Sequence, residues 1–375
     1  MTLRTLDTDE SFCMEITRVH STTYTVPVDL PGSDELDDTI VFVTVETDEG
    51  ISGYGETGYL YPEATASFIN EQIAPEIRGR NPLETERIWD HLYRELNPRA
   101  QTGTWSTAVS AVDIALWDIK GKHYDQPVWR LLGGASETIP VYHTIGRAIR
   151  DEQQLADLAS DLVSDGATRV KVVVGKGEWA TPRIDAARVT AVRDAVGDEI
   201  GLSMDANYLY SVDEALELCN RLESVSIDWF EEPVYGNDAS LLADLRRRTQ
   251  VPIGAGQNEG HRFRHRELIE NDAVDVSMPN VCFTGGFTEA TKVAGMAAAF
   301  NRRLVHGGGW PYQNMHLYAG LAAGQLVEFH DIVWEVANKI YESPPQPSDG
   351  SITLPEEPGL GLVPDWDELR PYEDE

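Results

Sequence analysis

Lysine is nearly missing from this 375-residue chain, which has only Lys120, Lys122, Lys171, Lys176, Lys292 and Lys339. Arginine raises the cations to 30, still far below the 63 Asp plus Glu, and the acids run from Asp7 to Glu375 rather than forming one tail. A surface of that sign repels nucleic acid phosphates and anionic lipid, so neither is an expected partner. Cysteine is equally scarce. Cys13, Cys219 and Cys282 are odd in number and form no CxxC pair, which argues against a disulfide framework or a zinc cluster and for a reducing compartment. No apolar run approaches the roughly 20 residues of a membrane span. The start, MTLRTLDTDESF, has no signal-peptide core. A cytoplasmic location is expected.

Few lysines, many arginines and a strong acidic excess together resemble proteins of salt-loving organisms. A solvated acidic surface stays soluble in molar salt, where a Debye length of roughly 3 Å screens its self-repulsion.

The length suits a β/α barrel of roughly 250 residues plus one smaller domain. Met14 to Val26 and Thr39 to Thr47 alternate like strands, and ISGYGE follows a turn, giving a small antiparallel sheet. The polar stretch between, Val28 to Asp38, reads as a mobile loop. Helical spacing marks Pro62 to Ile73, Pro82 to Arg94 and Ser106 to Lys120. From Ile139 strand and helix alternate, with strands ending near Thr144, Val174, Asp205, Glu231, Gln257, Asn280, His306 and Phe329. Eight such units imply a parallel barrel with right-handed crossovers. The fold class read here is α/β, a modified TIM barrel of (β/α)7β form with an α+β cap. Residues 1–137 would form the cap, 138–345 the barrel, and 346–375 a tail returning to the cap.

In a β/α barrel the carboxyl ends of the strands share one mouth, where the chemistry sits. Asp205 and Glu231 fall there on neighbouring strands. Two such carboxylates imply a hard cation between them, and Mg²⁺ suits a site of few protein ligands completed by water and substrate.

The order of the cap sheet, SAVDIALWDIKGK (Ser110 to Lys122), MDAN, FEEP, the Gly285-Gly286 pair and PGLGL (Pro358 to Leu362) resembles the enolase superfamily in its mandelate racemase-like branch. The resemblance implies that bound Mg²⁺ and a base remove the proton next to a substrate carboxylate. It implies Asp205, Glu231 and Gln257 as metal ligands, with Glu259 or a vacant position as alternatives to Gln257. It also implies Lys171 beside the substrate carboxylate, His306 as the base and Asn280 as its partner. Here Gln257 and Asn280 are amides where the family has acids, and Val173 stands where it has a lysine base. GQNEGHRFRHREL and HGGGWPY resemble L-rhamnonate dehydratase-like members, which use a single histidine. Dehydration of a sugar acid to a 2-keto-3-deoxy acid follows, with Asn207, His261, Glu328 and Trp310 as substrate-binding residues. His143, Arg262 and Tyr312 are further candidates near the mouth. The alternatives are an epimerase or cycloisomerase of another carboxylate and a noncatalytic relative that binds a sugar acid. Family members commonly form homo-oligomers through their caps.

Overall fold

The computed structural model describes residues 14–29, 36–58, 61–96, 102–147, 149 and 151–374. Cys13 and most of the loop read between Val28 and Asp38 lie outside these. Strands β1 (Ile16–Val28), β2 (Leu36–Thr47) and β3 (Ser52–Gly58) form an antiparallel sheet. The first runs two residues further than the alternation suggested, to Val28, and the second begins three residues earlier, at Leu36. Leu36, Asp37 and Asp38 pair with Val28, Pro27 and Val26, so the ladder's hydrogen bonds extend order into a segment whose composition reads as loop. The first helix is likewise interrupted, with a π-helical turn at Ile69–Ile73 between Pro62–Phe68 and Ala74–Ile77.

Helix Thr104–His123 joins the cap to the barrel. It is buried nearly all round, and β3 lies so close to it that a Cβ on Gly53 or Gly55 would sit 2.1 or 1.9 Å from the carbonyl oxygen of Ala115 or Ala111. Only glycine allows that approach. Its few polar groups face the barrel side: Ser110 Oγ accepts the amide of Gly285, and Asp113 that of Thr288.

The barrel strands are β4 (Thr138–Ile145), β5 (Arg169–Val173), β6 (Gly201–Asp205), β7 (Phe230–Glu231), β8 (Ile253–Ala255), β9 (Val276–Ser277), β10 (Arg303–Val305) and β11 (Gly324–His330). Neighbours pair in parallel in chain order, and β11 pairs with β4 to close the ring. Seven strand-helix units and a last strand make the (β/α)7β barrel expected. Tyr142, Trp229, Val276, Met278, Val305 and Leu326 form a separate apolar cluster, an interior plug from alternate strand positions. The last strand, β12 (Ser351–Thr353), pairs antiparallel with β4. Beyond it, Trp366 packs on Phe42 and Tyr54, and Glu373 bridges to Tyr24.

No helix among the described residues is long and apolar enough to cross a membrane.

Candidate active site

Lys171 on β5 reaches Glu231 on β7 at 2.5 Å, Glu328 on β11 at 2.7 Å and Asp205 on β6 at 3.4 Å. Side chains from strands so far apart around the ring meet only through its interior. Thr144 Oγ1 and the Gly309 amide also donate to Glu328, at 2.5 and 2.8 Å. Burial alone would raise the Glu328 carboxyl, but the Lys171 ammonium pulls it down to about 2. Lys171 is fully buried and stays cationic: burial would lower it, and Glu231 and Glu328 raise it. Lys171 and Glu328 thus form the floor of the mouth, an ion cluster beneath the cleft rather than groups exposed in it. Lys171, expected beside the substrate carboxylate, and Glu328, expected among the substrate-binding residues, are both buried below the cleft's lining.

Above that floor lies a cleft lined by Asp205, Asn207, Gln257, Asn258, Gly308 and Trp310, among others. Asp205 Oδ1 accepts the Asn207 amide at 2.7 Å. Glu231 pairs with Asp205 across adjacent strands, and its Oε1 is buried without a hydrogen-bond partner. Burial drives this carboxyl upward, against the pull of Lys171. Gln257 donates its amide nitrogen to Glu232 at 2.8 Å, which commits that end and leaves the carbonyl as the acceptor near Gly308. Glu259 is turned away, paired with Arg264 at 3.0 Å. Among the described residues no group of three His, Cys, Asp or Glu side chains is arranged to hold a metal ion. Two carboxylates and an amide oxygen remain as the donor set. The orphaned oxygen and the upward push on the buried Glu231 carboxyl both call for a cation beside it, so these residues fit a hard divalent ion.

His306 does not belong to this site. Val305 lies in the interior plug, so the next residue points outward. The His306 ring packs on Tyr318, is fully buried, and accepts the Glu328 backbone amide at Nδ1, 3.0 Å away. Its imidazole takes the place of a strand carbonyl and caps the β10–β11 ladder. Burial lowers it to about 4. Asn280 lies 3.3 Å from Nε2, but its amino group donates to the carbonyls of Gly307 and Gly309, and its oxygen accepts from Cys282 and Asn314. It presents a donor, not an acceptor, to the ring. The expected pairing of His306 with Asn280 is present at 3.3 Å, but the ring faces away from the cleft, which is not where a base would stand. The position that faces both Asn280 and the cleft is Gly308, where a Cβ would sit 3.2 Å from Asn280 Nδ2.

Of the expected substrate-binding residues, Asn207 and Trp310 line the cleft, and Trp310 is oriented by a bond from Nε1 to Glu56 at 2.9 Å. His261 is enclosed by Trp89, Tyr93, Trp105 and Phe263 and is fully buried. The cap helices close over it, so it is a core residue. His143 packs on Phe329 and Trp334 outside the barrel, and Arg262 pairs with Glu289 at 2.6 Å.

Four charged residues that the sequence reading did not single out line the same cleft: Asp38 from the cap, Arg147 after β4, Lys176 after β5 and His330 ending β11. The scarcity of lysine was the available signal for Lys176. The mouth is consequently polarised, with acids and an amide on β6 to β8 and cations on β11, β4 and β5.

Two family models match the chain. "Enolase C-terminal domain-like" covers residues 154–368, and "Mandelate racemase / muconate lactonizing enzyme, N-terminal domain" covers 13–133. The chain belongs to the enolase superfamily, in its mandelate racemase/muconate lactonizing enzyme-like branch. Within that family it is 32% identical to D-galactarolactone cycloisomerase of Agrobacterium fabrum, over 88% of this chain and 90% of that one. It is 31% identical to arabinonate dehydratase of Saccharolobus solfataricus, over 86% and 88%. A racemase from Streptomyces coelicolor, solved with bound magnesium, superposes with a TM-score of 0.89 at 27% identity, covering 96% of this chain and all of that one.

The buried titratable groups set an expected pH dependence of folding. His143, His261, His265, His306 and His316 are each lowered to about 4 by burial. The unfolded chain binds their protons near its ordinary value of about 6.5, so their stabilisation is present above that pH and lost as pH falls toward 4. Glu56 and Asp113, raised to about 7, and Glu232, raised to about 8, act in the opposite sense. Glu231, Asp38 and His330 are raised as well and join these three, while His20 is lowered with the other histidines, so the two sets nearly offset between about pH 6.5 and 4.5. Urea midpoints measured across that range in chelator should stay nearly level. A steep decline on acidification would remove this account.

Proposed function

We propose that this enolase-superfamily protein removes the proton next to the carboxylate of a sugar acid and eliminates water, giving a 2-keto-3-deoxy acid. The observation that carries the reading is the buried, unpartnered Glu231 Oε1 next to Asp205, a residue that lines the cleft. Relatives named as a dehydratase and a cycloisomerase of sugar-derived acids support the substrate class. Asp205, Glu231 and the carbonyl of Gln257 would hold Mg²⁺. When bound, that ion supplies Lewis-acid stabilisation of negative charge on the substrate carboxylate as the proton leaves. Lys171 keeps Glu328 ionised and holds Glu231 in place, and Trp310 with Phe283 and Val333 excludes water from one wall. The narrower kinship with L-rhamnonate dehydratase-like members rested on GQNEGHRFRHREL and HGGGWPY, and the outward ring of His306 takes the single histidine out of it.

A cycloisomerase is the second reading, favoured by the 32% identical relative of that name. The two differ only after the proton leaves. In one the oxygen on the next carbon departs as water, and in the other it stays tethered as a ring opens.

Incubating a panel of aldonic acids, aldaric acids and their lactones in D2O with Mg²⁺ and molar KCl tests the proposal. Exchange at C2 with a 2-keto-3-deoxy product is expected, and chelation should abolish it. Exchange with inverted configuration would make the protein an epimerase. Binding with neither exchange nor product would make it a noncatalytic relative.

A further inference from the structure

With His306 facing outward and Gly308 in the position beside Asn280, the reaction needs a base and an acid from elsewhere in the cleft. Two of its lining residues are held in place for that work. Lys176 sits between Gly175 and Gly177, whose φ values of +71° and +92° turn the chain sharply at the end of β5. This loop is braced from beneath. The Gly175 amide donates to Asp185 at 3.0 Å, and Asp185 also accepts from Tyr210 at 2.5 Å and Arg188 at 2.6 Å. Arg188, fully buried, donates to the carbonyls of Val173, Gly146 and Ile149 at 3.0, 2.8 and 2.7 Å. One buried guanidinium thus ties the loop after β4 to the end of β5, fixing Arg147 and Lys176 side by side. Burial and the Arg147 charge both lower the Lys176 ammonium, and Asp205 opposes them. A lysine partly desolvated beside another cation is disposed to act as a free amine.

His330 enters the cleft from β11, two strands away, with Nδ1 at 3.1 Å from Asp331 Oδ1. Burial lowers this imidazole, but Asp331 and then Glu328 more than offset it, and the result is upward. Asp38 and Arg147 complete the charged groups around it. Two titratable groups in one cleft pushed in opposite directions mark a base and an acid.

We propose that Lys176 takes the proton from the carbon next to the substrate carboxylate and that His330 delivers a proton to the oxygen leaving the adjacent carbon. This rests on the dehydration reading above. The C–H electron pair first moves into the carboxylate, giving an enediolate that can take the proton back, and then becomes the C2–C3 double bond as the C3–O bond breaks. The C2 proton ends on the Lys176 amine, the His330 proton leaves with the hydroxyl as water, and the enol takes a proton from solvent at C3 to give the keto acid. No oxidant or reductant is required. His330 faces the departing oxygen whether it leaves as water or stays tethered.

Variants assayed in D2O separate the two steps. Lys176→Arg keeps the charge but has no usable free base, so C2 exchange should fall by about 10²–10⁴-fold, with substrate binding retained by calorimetry. Lys176→Met should lose exchange to the same degree. His330→Gln should keep C2 exchange within about tenfold of wild type while product formation falls by at least about 10²-fold. Melting curves identify any variant that has merely unfolded, and the conservative Lys176→Arg change carries the decision. Wild-type exchange in Lys176→Arg would overturn the base, and wild-type product formation in His330→Gln would overturn the acid. A wild-type protein that processes no acid of the panel would instead overturn the dehydration reading itself.

Discussion

Replacing Lys171 by methionine is expected to lower folding stability by about 3–5 kcal/mol, the usual cost of leaving buried charges without their partner. The ammonium is fully buried within 2.5 Å of Glu231, 2.7 Å of Glu328 and 3.4 Å of Asp205. Methionine fills nearly the same space, so packing changes little and the effect is electrostatic. Without the ammonium, three carboxylates face one another at the barrel floor. They must take up protons or move apart, and either response costs free energy. Adding Glu328→Gln to the lysine variant removes one stranded charge while keeping an acceptor for Thr144 and Gly309. It should recover part of the loss, a coupling that distant residues would not show. Urea midpoints at constant salt measure both effects. A single variant within about 1 kcal/mol of wild type would mean that the floor carboxylates are not jointly ionised.

The barrel was legible because its strands end in polar side chains after apolar runs, and Asp205 and Glu231 lie on adjacent strands as that pattern required. The histidine was not legible, for a reason of parity. A strand's side chains alternate with period two, so displacing its end by one residue exchanges the interior for the exterior. β10 has three residues and runs into Gly307, Gly308 and Gly309, which have no side chains to show which face is which. His261 was misread for a different reason. Its enclosure comes from Trp89, Tyr93 and Trp105, more than 150 residues earlier in the chain, and no local pattern reports a contact at that separation. Lys176 follows its strand and His330 ends one, neither within an obvious motif. Only the ring closure of β11 on β4, with Arg188 tying the neighbouring loops, brings them to one cleft.

The acid-rich surface leads to the other large effect, a fall in melting temperature on the order of 10 °C between molar and millimolar KCl. The formal charge is −33, and the structure shows how unevenly it is offset. Helix Glu152–Ser164 has no basic residue, and Asp151, Glu152, Asp157, Asp161 and Asp165 are all exposed along it or at its ends. At about 1 M salt the Debye length of roughly 3 Å makes such neighbours nearly independent, whereas at 0.01 M it is about 30 Å and each acid feels many others. Unfolding then relieves repulsion by spreading the charges apart. A few kcal/mol lost this way corresponds to the stated shift, at roughly 2–4 °C per kcal/mol or somewhat less for a chain of this size. The buried Lys171 cluster is shielded from bulk ions, so the Lys171→Met loss should be similar at both salt concentrations while the wild-type melting temperature moves. A melting temperature unchanged between the two would show that the acidic excess does not govern stability, and a salt-dependent Lys171→Met effect would place that cluster within reach of solvent ions.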